Sequence, residues 1–547
     1  MAHRNPRAGL ATHEVTNQAE PLEDVNLFTS DAILTSACAW SGATTHADRL
    51  AAFGARVGAA ETQVWASQAN RVVPIFQPYD RFGRRIDEVE FHPAYHQLMR
   101  LGLEAGVSGA AWNVSRAGHA LHAGLLFLMG QADYGVCCPM SMTYAVVPAL
   151  RVQPAVAAAW ESRVTAEAYD QRFVPASEKR AVTMGMAMTE KQGGSDVRAN
   201  STRAEAQADG SYVLTGHKWF CSAPMSDAFL TLAYAPGGLT CFLVPRWRDG
   251  GDRNEVEIQR LKDKLGDRSN ASSEIEYRGA SAVRVGEEGR GVRTIIEMVQ
   301  LTRFDCIVGS ATQMRQATAL AAWHVERRSA FQRKLIDQPL MRAVLADLAL
   351  DVEASVALTF RLAQALDRPE DPHEAAIARI GMPIAKYLVT KRAPTVAAEA
   401  MECLGGAGFV EEAPLARLFR QSPLNAIWEG SGNVIALDLL RALHREPEVR
   451  EALLSEFREA ATGEPALRTM TTKAEQLLTA PIAEASGRHA IERLALSLAA
   501  ATLARRGDPA VSDAFIARRL YGASLTFGAG EGAINETAII ARLALQA

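Results

Sequence analysis

Length, composition and charge restrict the class of protein before any motif is considered. The 547 residues are too many for one hydrophobic core and predict three or four domains. Hydrophobic residues make up 48% of the chain and aromatic residues 7%, which is typical of a helix-rich globular protein. The formal net charge of −4 gives no global indication of a nucleic-acid, membrane-surface or acidic partner.

Cysteine usage and hydropathy predict a cytoplasmic protein. The seven cysteines are scattered and form no CxxC pair, which favours reduced thiols over structural disulfides. The N-terminal stretch MAHRNPRAGLATHEV lacks the apolar core of a secretion signal. The longest apolar runs, such as residues 494–504, are too short to span a bilayer, so we expect no membrane segment.

Helical and strand patterns alternate along the chain and predict four segments. Residues 1–182 have the three-and-four spacing of apolar residues that indicates an N-terminal helical domain. Residues 183–287 alternate at period two and predict a β domain. Residues 288–445 predict a four-helix bundle, and residues 446–547 a C-terminal helical extension. The predicted fold is therefore mainly α with a central β domain.

Local signals place the boundaries of these elements. A strand followed by a turn is expected over residues 211–222, and two strands joined at residues 236–238 follow it. Asp371 before Pro372, and Asp508 before Pro509, each predict a capped helix start. The long helices of the bundle are expected over residues 289–327, 339–366, 373–403 and 433–445.

The first motif with chemical potential is a glycine loop after a short apolar stretch, MGMAMTEKQGGSDVRANSTRA at residues 184–204. Glycines let the backbone approach a ligand closely, and hydroxyls beside exposed amides suit a phosphate or the edge of a heteroaromatic ring. The same residue types fit an ordinary turn into the β domain, in which Ser195 and Asp196 act as local caps.

Two further motifs also have two interpretations each. GHKWFCS at residues 216–222 is a predicted glycine turn followed by Trp219 and Phe220, whose rings suit either stacking on a flat cofactor or strand packing. ERRSAFQRK at residues 326–334 places arginines at a helix end. There they suit either phosphate oxygens or the negative end of the helix dipole in solvent.

The fourth motif, NAIWEGSGN at residues 425–433, places Glu429 directly ahead of a predicted helix. One interpretation is a charge stabilised by the helix dipole. The other is a general base, whose ionised form Ile427 and Trp428 would disfavour as apolar walls. The small residues at 430–432 leave space for a flat group beside it.

Other enzyme classes lack their motifs. HExxH, GxSxG, GxxxxGK[ST] and a strand-linked GxGxxG are all missing from the sequence, which argues against zinc hydrolases, serine hydrolases, P-loop proteins and Rossmann enzymes. The pairs His92–His96 and His119–His122 each share a helix face but have no obvious further ligand nearby in sequence. We expect ordinary helix histidines and no metal site.

Taken in order, the motifs resemble those of the acyl-CoA dehydrogenases. TEKQGGSD resembles the flavin loop of that superfamily, KLGDRSNASSEIEY at residues 264–277 resembles a strand motif, and RSAF, LGGAG and WEGSG resemble its C-terminal segments. The run at 184–204, the phrase LTRFDCIVGS at 301–310 and the C-terminal extension are similar to the AidB branch. That branch is named for the adaptive response to DNA alkylation.

The resemblance implies an FAD enzyme that acts on acyl-CoA and assembles as a homotetramer. Glu429 would take the α-proton of the thioester while its own backbone N–H holds the thioester oxygen. Arg303 would assist Glu429 or the substrate, and Arg328 and Phe331 would reach FAD from a partner chain. The cofactor-binding residues that the resemblance implies are Met186, Met188, Thr189, Gly194, Ser195, Phe220, Cys221, Ser222, Arg328, Phe331, Gly405, Ile427, Trp428, Gly430, Ser431 and Asn433.

Three functions are compatible with these observations. The first is an FAD-dependent dehydrogenase of short or branched acyl-CoAs, the second a protector that binds duplex DNA in the alkylation response, and the third a flavoprotein with vestigial activity. Residues 441–547 hold 13 Lys or Arg against 13 Asp or Glu, so the extension is not basic overall. The candidate DNA contacts cluster at one helix junction, where a solvated helix end is the alternative: Arg505, Arg506, Arg518 and Arg519.

Overall fold

The computed structural model describes residue 10 and residues 12–479 and 481–545. Its α-helices in that part of the chain are α1 Ala32–Ser41, α2 Ala47–Gly58, α3 Ala60–Arg71, α4 Pro93–Glu104, α5 Ala110–Asn113, α6 Gly118–Ala132, α7 Cys137–Ala145, α8 Val147–Arg151, α9 Pro154–Val164, α10 Gly291–Arg327, α11 Pro339–Leu366, α12 Pro372–Cys403, α13 Gly406–Phe409, α14 Pro414–Gln421, α15 Gly432–Arg445, α16 Pro447–Gly463, α17 Arg468–Thr479, α18 Gly487–Arg506, α19 Pro509–Phe515 and α20 Glu536–Ala541.

The strands concentrate between residues 184 and 285. They are β1 Ile75–Tyr79, β2 Arg85–Glu90, β3 Met184–Ala187, β4 Arg203–Ala206, β5 Tyr212–Cys221, β6 Ala228–Ala235, β7 Gly238–Pro245, β8 Val256–Leu261, β9 Ser273–Val285, β10 Ser329–Ala330 and β11 Arg333–Lys334. The predicted fold class, mainly α with a central β domain and further C-terminal helices, is confirmed.

The chain divides into two compact units, each built from separate stretches of sequence. Unit 1 comprises Met1–Val64, His119–Ala132 and Cys306–Ala547. Unit 2 comprises Trp65–Gly118 and Asp133–Asp305. The four-segment domain division drawn from the sequence stays a prediction.

The β domain of unit 2 is a seven-stranded sheet that closes on itself. The order β3-β6-β4-β5-β9-β7 is completed by pairing of β6 with β7, and β8 adds to β9. Closure removes the exposed edges that an open sheet would present. Its interior is a hydrophobic cluster that includes Leu214, Phe229, Phe242 and Tyr277.

Two local features of unit 2 were not predicted correctly. The N-terminal segment is mostly helical, as predicted, but it also contains an antiparallel hairpin of β1 and β2. Its residues Phe76 and Val89 pack against the β-domain cluster, so tertiary packing decides the conformation of a short, proline-containing run. The turn expected at Gly216 is wrong, because Gly216 lies inside β5 and pairs with Tyr277 of β9. Gly216 has φ +155°, and a Cβ there would lie 2.5 Å from Thr202 Oγ1, so the glycine allows a close approach of Thr202.

Unit 1 is helical and contains the predicted bundle helices. α11 has the predicted bounds, and α10, α12 and α15 begin and end within two residues of theirs. α12 packs against α11 and α15, while the C-terminal helices α16 and α18 pack against α12. Both predicted caps are confirmed, because Asp371 Oδ1 accepts from the His373 amide at 2.9 Å and Asp508 Oδ1 from the Ala510 amide at 2.9 Å.

All seven cysteines are free and buried. Within the described ranges, no helix combines the length and the apolar character needed to cross a bilayer.

Candidate functional site

The loop that carries Glu429 joins α14 to α15 in unit 1. Glu429 is half-buried and has φ +55°, a left-handed conformation that non-glycine residues rarely adopt. Gly430 follows with φ +102°. Two consecutive residues of this kind present the carboxylate just ahead of the first turn of α15. Backbone strain of this type persists only where surrounding contacts hold it.

Those contacts are hydrogen bonds from α12 and α10. The buried ammonium of Lys386 on α12 donates to the carbonyl oxygens of Asn425 at 2.9 Å, Trp428 at 3.0 Å and Gly430 at 2.9 Å. Asn425 Nδ2 donates to Ser310 Oγ on α10 at 3.1 Å, and Asn425 Oδ1 accepts from Trp428 Nε1 at 2.8 Å. The loop is therefore fixed on both sides of Glu429.

The remaining residues predicted from this motif differ in exposure. Ile427, predicted as an apolar wall of the carboxylate, is 64% exposed. Trp428 is half-buried, and its indole N–H donates to Asn425 Oδ1. Ser431 is the N-cap of α15, but its hydroxyl makes no capping bond, so it stays able to face a ligand. Asn433 is exposed in the first turn of α15.

Phe331 lies at the tip of a two-residue hairpin formed by β10 and β11. Ala330 pairs with Arg333, and both tip residues have positive φ, +52° at Phe331 and +62° at Gln332, as in a type I′ turn. The turn leaves Phe331 91% exposed. Arg328 stands at the base of the hairpin and donates to the Asn17 carbonyl oxygen at 2.6 Å.

Gly405 follows the end of α12 with φ +59° and ψ −142°, a region that only glycine occupies readily. A Cβ at Gly405 would meet no atom within 4 Å, so its surroundings are open. The backbone there is accessible to a ligand or a partner chain.

In unit 2, β3 leads directly into the predicted flavin loop. Met186 and Met188 are half-buried, and the Met188 carbonyl accepts from Asn200 Nδ2 at 3.1 Å. The Thr189 carbonyl accepts from the Trp219 amide at 2.8 Å, which ties the loop to β5. A Cβ at Gly194 would lie 2.8 Å from Thr189 Oγ1, so only glycine fits there without a shift. Ser195 beside it is exposed.

The end of β5 alternates between the core and the surface. Phe220 is 46% exposed, whereas Cys221 is fully buried in the hydrophobic cluster. The Cys221 thiol therefore does not face a cofactor, and burial raises its pKa to about 12. Ser222 is half-buried, and its carbonyl oxygen accepts from Asn270 Nδ2 at 2.8 Å. Phe220 and Ser222, on either side of Cys221, are both more exposed than Cys221.

One feature of this loop was missed by sequence reasoning. Glu190 is buried, and its carboxylate accepts from Lys218 Nζ at 2.8 Å, Thr202 Oγ1 at 2.6 Å and the Ser201 amide at 2.6 Å. Burial raises the pKa of Glu190, but the Lys218 charge and these hydrogen bonds outweigh burial and hold it at about 2. Because Glu190 and Lys218 are 28 residues apart, no local sequence pattern indicates this ion pair.

Arg303 is buried in the part of α10 that belongs to unit 2. His92 and His96 each contact a group other than a metal ligand. His92 Nδ1 accepts from the Ala94 amide at the start of α4, and His96 Nδ1 lies 2.8 Å from the Tyr169 hydroxyl. Among the described residues, no three His, Cys, Asp or Glu side chains are placed to hold a metal ion.

The four arginines proposed to contact DNA do not form an exposed patch. Arg518 is 7% exposed and donates to Asp347 at 3.2 Å, and Arg519 donates to Asp351 at 3.0 Å. Both acids lie on α11. The sequence shows a cluster of positive charge but not the buried acids that neutralise it, so this part of the prediction is wrong in geometry.

The other two arginines are also engaged within the chain. Arg505 pairs with Glu456 at 3.1 Å and Glu459 at 2.8 Å, both on α16. The Arg506 guanidinium lies 5.2 Å from the centre of the Trp40 ring. Of the four, only Arg505 is exposed.

Comparison with known proteins decides the family. Three family descriptions match in succession: the adaptive response protein AidB N-terminal domain at residues 17–171, the acyl-CoA dehydrogenase middle domain at 185–280 and the acyl-CoA dehydrogenase C-terminal domain at 289–444. The chain is 44% identical to AidB of Escherichia coli strain K12 over 92% of its own length and 94% of that protein. It belongs to the AidB family of acyl-CoA dehydrogenases.

Other members of the superfamily extend the comparison. Acyl-CoA dehydrogenase family member 11 of Caenorhabditis elegans is 32% identical over 72% of the chain and 66% of that protein. The crystal structure of Caenorhabditis elegans ACDH-11 in complex with C11-CoA superposes with a TM-score of 0.81 at 27% identity, covering 94% of each chain.

Membership of the AidB family makes the chain an FAD-dependent oxidoreductase of the acyl-CoA dehydrogenase type. The residues present fit the cofactor. The outward Phe220 ring offers a flat apolar face, the exposed Ser195 hydroxyl offers a donor, and the tight packing of Gly194 on Thr189 keeps the loop backbone clear of side-chain bulk. When bound, FAD supplies the acceptor for the hydride of the substrate.

Proposed function

We propose that the chain dehydrogenates short or branched acyl-CoAs with Glu429 as the base. The observation that supports this most is the loop of Glu429, which holds an acid at φ +55° with the carbonyls on both sides bonded to Lys386. These hydrogen bonds fix the backbone at Glu429. A carboxylate that only stabilised the start of a helix would not require such rigid positioning. Glu429 would take the α-proton, and its backbone N–H would donate to the thioester oxygen as negative charge develops there.

The cofactor contacts are part of the same proposal. Within unit 2, the proposed FAD contacts are Thr189, Ser195, Phe220 and Ser222. Within unit 1, they are Trp428, Gly430, Ser431 and Asn433. Arg303 would assist Glu429 or the substrate. The exposed Phe331 at a hairpin tip supports a contact with FAD in a partner subunit, and hence a homotetramer.

An anaerobic titration tests the assignment. Purified protein with FAD is titrated with short and branched acyl-CoAs without oxygen, and the flavin absorbance is followed. We expect bleaching in the wild type and none in Glu429→Gln, while the exposed control Glu448→Gln bleaches normally. Loss of bleaching with retained FAD in Glu429→Gln supports the base. Equal bleaching in Glu429→Gln would contradict it.

The match to the adaptive response protein AidB supports a second proposal, a role in the response to DNA alkylation. DNA contact through Arg505, Arg506, Arg518 and Arg519 is not part of it, because these side chains are engaged within unit 1. The experiment that separates the two roles uses cells that lack the protein and are complemented with the Glu429→Gln variant. Their survival is measured after treatment with an alkylating agent. Full rescue by this variant would assign protection to something other than dehydrogenation.

The free, buried thiols support a cytoplasmic location.

A further inference from the structure

Lys386 has an environment that is unusual for a lysine. It lies on α12 with 1% of its surface exposed, and its ammonium donates to three backbone carbonyls, at 2.9, 3.0 and 2.9 Å. An ammonium carries three N–H donors, so the three carbonyls match its capacity. Burial of a charge is costly unless hydrogen bonds compensate it. A residue that only packed α12 would be apolar at this position.

Two of the three carbonyls flank Glu429. The carbonyl of Trp428 and the amide N–H of Glu429 belong to one peptide unit, which is planar and trans. The two groups therefore point in opposite directions. A cation held 3.0 Å from the Trp428 oxygen fixes the direction of the Glu429 N–H on the other side of that peptide. It also polarises the amide and makes the N–H a stronger donor.

We infer that Lys386 is a positioning residue that orients and polarises the Trp428–Glu429 peptide for oxyanion stabilisation. The inference rests on the proposed function, in which this N–H donates to the thioester oxygen. As Glu429 takes the α-proton, the electron pair of that C–H bond moves toward the thioester oxygen. A preorganised N–H aimed at the developing charge lowers the barrier without reorganisation.

The bond to Gly430 adds a second effect. Glu429 is in a left-handed conformation that is unfavourable for a non-glycine residue. The Lys386 bonds to Trp428 and Gly430 lie on either side of Glu429 and hold that conformation in place. Arginine keeps the charge but presents a planar fork, which cannot match three converging carbonyls as an ammonium does. Lys386→Arg is therefore an informative variant as well as Lys386→Met.

The test uses a probe that separates proton removal from hydride transfer. In 3-thiabutyryl-CoA, CH3–S–CH2–CO–SCoA, the β-position is sulfur, so the α-proton can leave but no hydride follows. Its enolate beside oxidised FAD gives a long-wavelength absorbance, and the pH dependence of that band reports the pKa of the bound α-proton. A 13C-labelled thioester carbonyl gives an infrared stretch that reports polarisation by the hydrogen-bond donors.

We expect Lys386→Met to raise the pKa of the bound α-proton by about one unit or more and to shift the carbonyl stretch to higher frequency. With acyl-CoA substrate, kcat should fall at least about tenfold while KM changes less than about threefold. Lys386→Arg should lie between Lys386→Met and the wild type. The exposed control Lys473→Met on α17 should match the wild type in every readout.

A measurement without cofactor or substrate completes the design. In protein freed of FAD, hydrogen exchange at residues 424–430 should accelerate in Lys386→Met. If that variant does not fold, Lys386→Gln, a neutral side chain with two N–H donors, replaces it, with smaller shifts of the same sign. An unchanged pKa and carbonyl stretch in a folded Lys386 variant overturns the inference. A wild type that binds the probe but never deprotonates it overturns the proposed function instead.

Discussion

Lys218 and Glu190 form an ion pair of 2.8 Å in which neither side chain is accessible to solvent. Glu190 follows Thr189 in the loop, and its carboxylate also accepts from the Thr202 hydroxyl and the Ser201 amide. The ion pair therefore anchors the loop of Thr189. Burial lowers the pKa of Lys218 to about 8, partly opposed by Glu190. A buried pair of this kind adds less to stability than its geometry suggests, but loss of one partner is severe.

We predict a pH-dependent contribution of Glu190 to stability. Its folded pKa of about 2 is below the ordinary value of 4.5, so the stabilisation is present above pH 4.5 and is lost as the pH falls toward 2. Urea unfolding of Glu190→Gln between pH 5 and 2 should show a shallower pH dependence than the wild type. Exposed Glu205→Gln should keep the wild-type slope.

Gly194→Ala should lower the affinity for FAD. The added methyl group would lie 2.8 Å from Thr189 Oγ1 and 2.9 Å from its methyl carbon, which displaces the loop. We expect at least about a tenfold rise in the Kd for FAD, measured by fluorescence titration of the FAD-free protein. Gly193→Ala is the matched control, because its nearest contact would be the Asp196 carbonyl at 3.5 Å. Equal losses in both variants would contradict a specific role for Gly194.

Gln332→Gly should stabilise the β10–β11 hairpin. Gln332 has φ +62°, a left-handed conformation that favours glycine, so removal of its side chain relieves backbone strain. A local gain of about 0.5–1 kcal/mol should slow hydrogen exchange of the Leu335 amide, which bonds to Arg328, about two- to fivefold. Gln332→Ala keeps the Cβ and should give no gain. Faster exchange in Gln332→Gly would show that the side chain, not the backbone, holds the turn.

Arg518→Ala should lower the free energy of unfolding. The folded variant should keep the same affinity for duplex DNA as the wild type. It removes a donor to Asp347, which is 1% exposed, and we expect a loss of about 3 kcal/mol in the free energy of unfolding. Arg493→Ala, on the exposed face of α18, should change it by less than about 0.5 kcal/mol. If a folded Arg518→Ala variant binds duplex DNA more weakly with a flatter salt dependence, the internal role assigned to Arg518 is wrong.

The features that the sequence predicts correctly are those that depend on the local spacing of apolar residues and on helix-capping residues. The bounds of α11, and the starts of α12 and α19 at Asp371 and Asp508, follow from apolar spacing and capping chemistry within a few residues. The family motifs identified the cofactor and the enzyme class for the same reason, because each motif is contiguous.

What sequence reasoning missed depends on contacts between distant segments. The β1–β2 hairpin forms where its apolar side meets the β-domain cluster, and Gly216 lies inside β5 because Thr202 leaves no space for a Cβ there. Charge counts around Arg518 and Arg519 could not show that Asp347 and Asp351 lie against them. The three bonds of Lys386 link residues 39 to 44 positions apart, so no window of sequence contains them.

The inward arginines of the C-terminal extension determine how freely it can be lost or exchanged. α11 is buried continuously from Leu345 to Ala363, and its acids Asp347, Asp351 and Glu353 each pair with an arginine from beyond residue 515. A shortened enzyme that ended after α15 would expose apolar surface of α11 and would remove the arginines that pair with Asp347 and Glu353. Gain or loss of the extension therefore requires coordinated change on α11, and engineering of minimal variants should begin with that helix rather than with a stop codon.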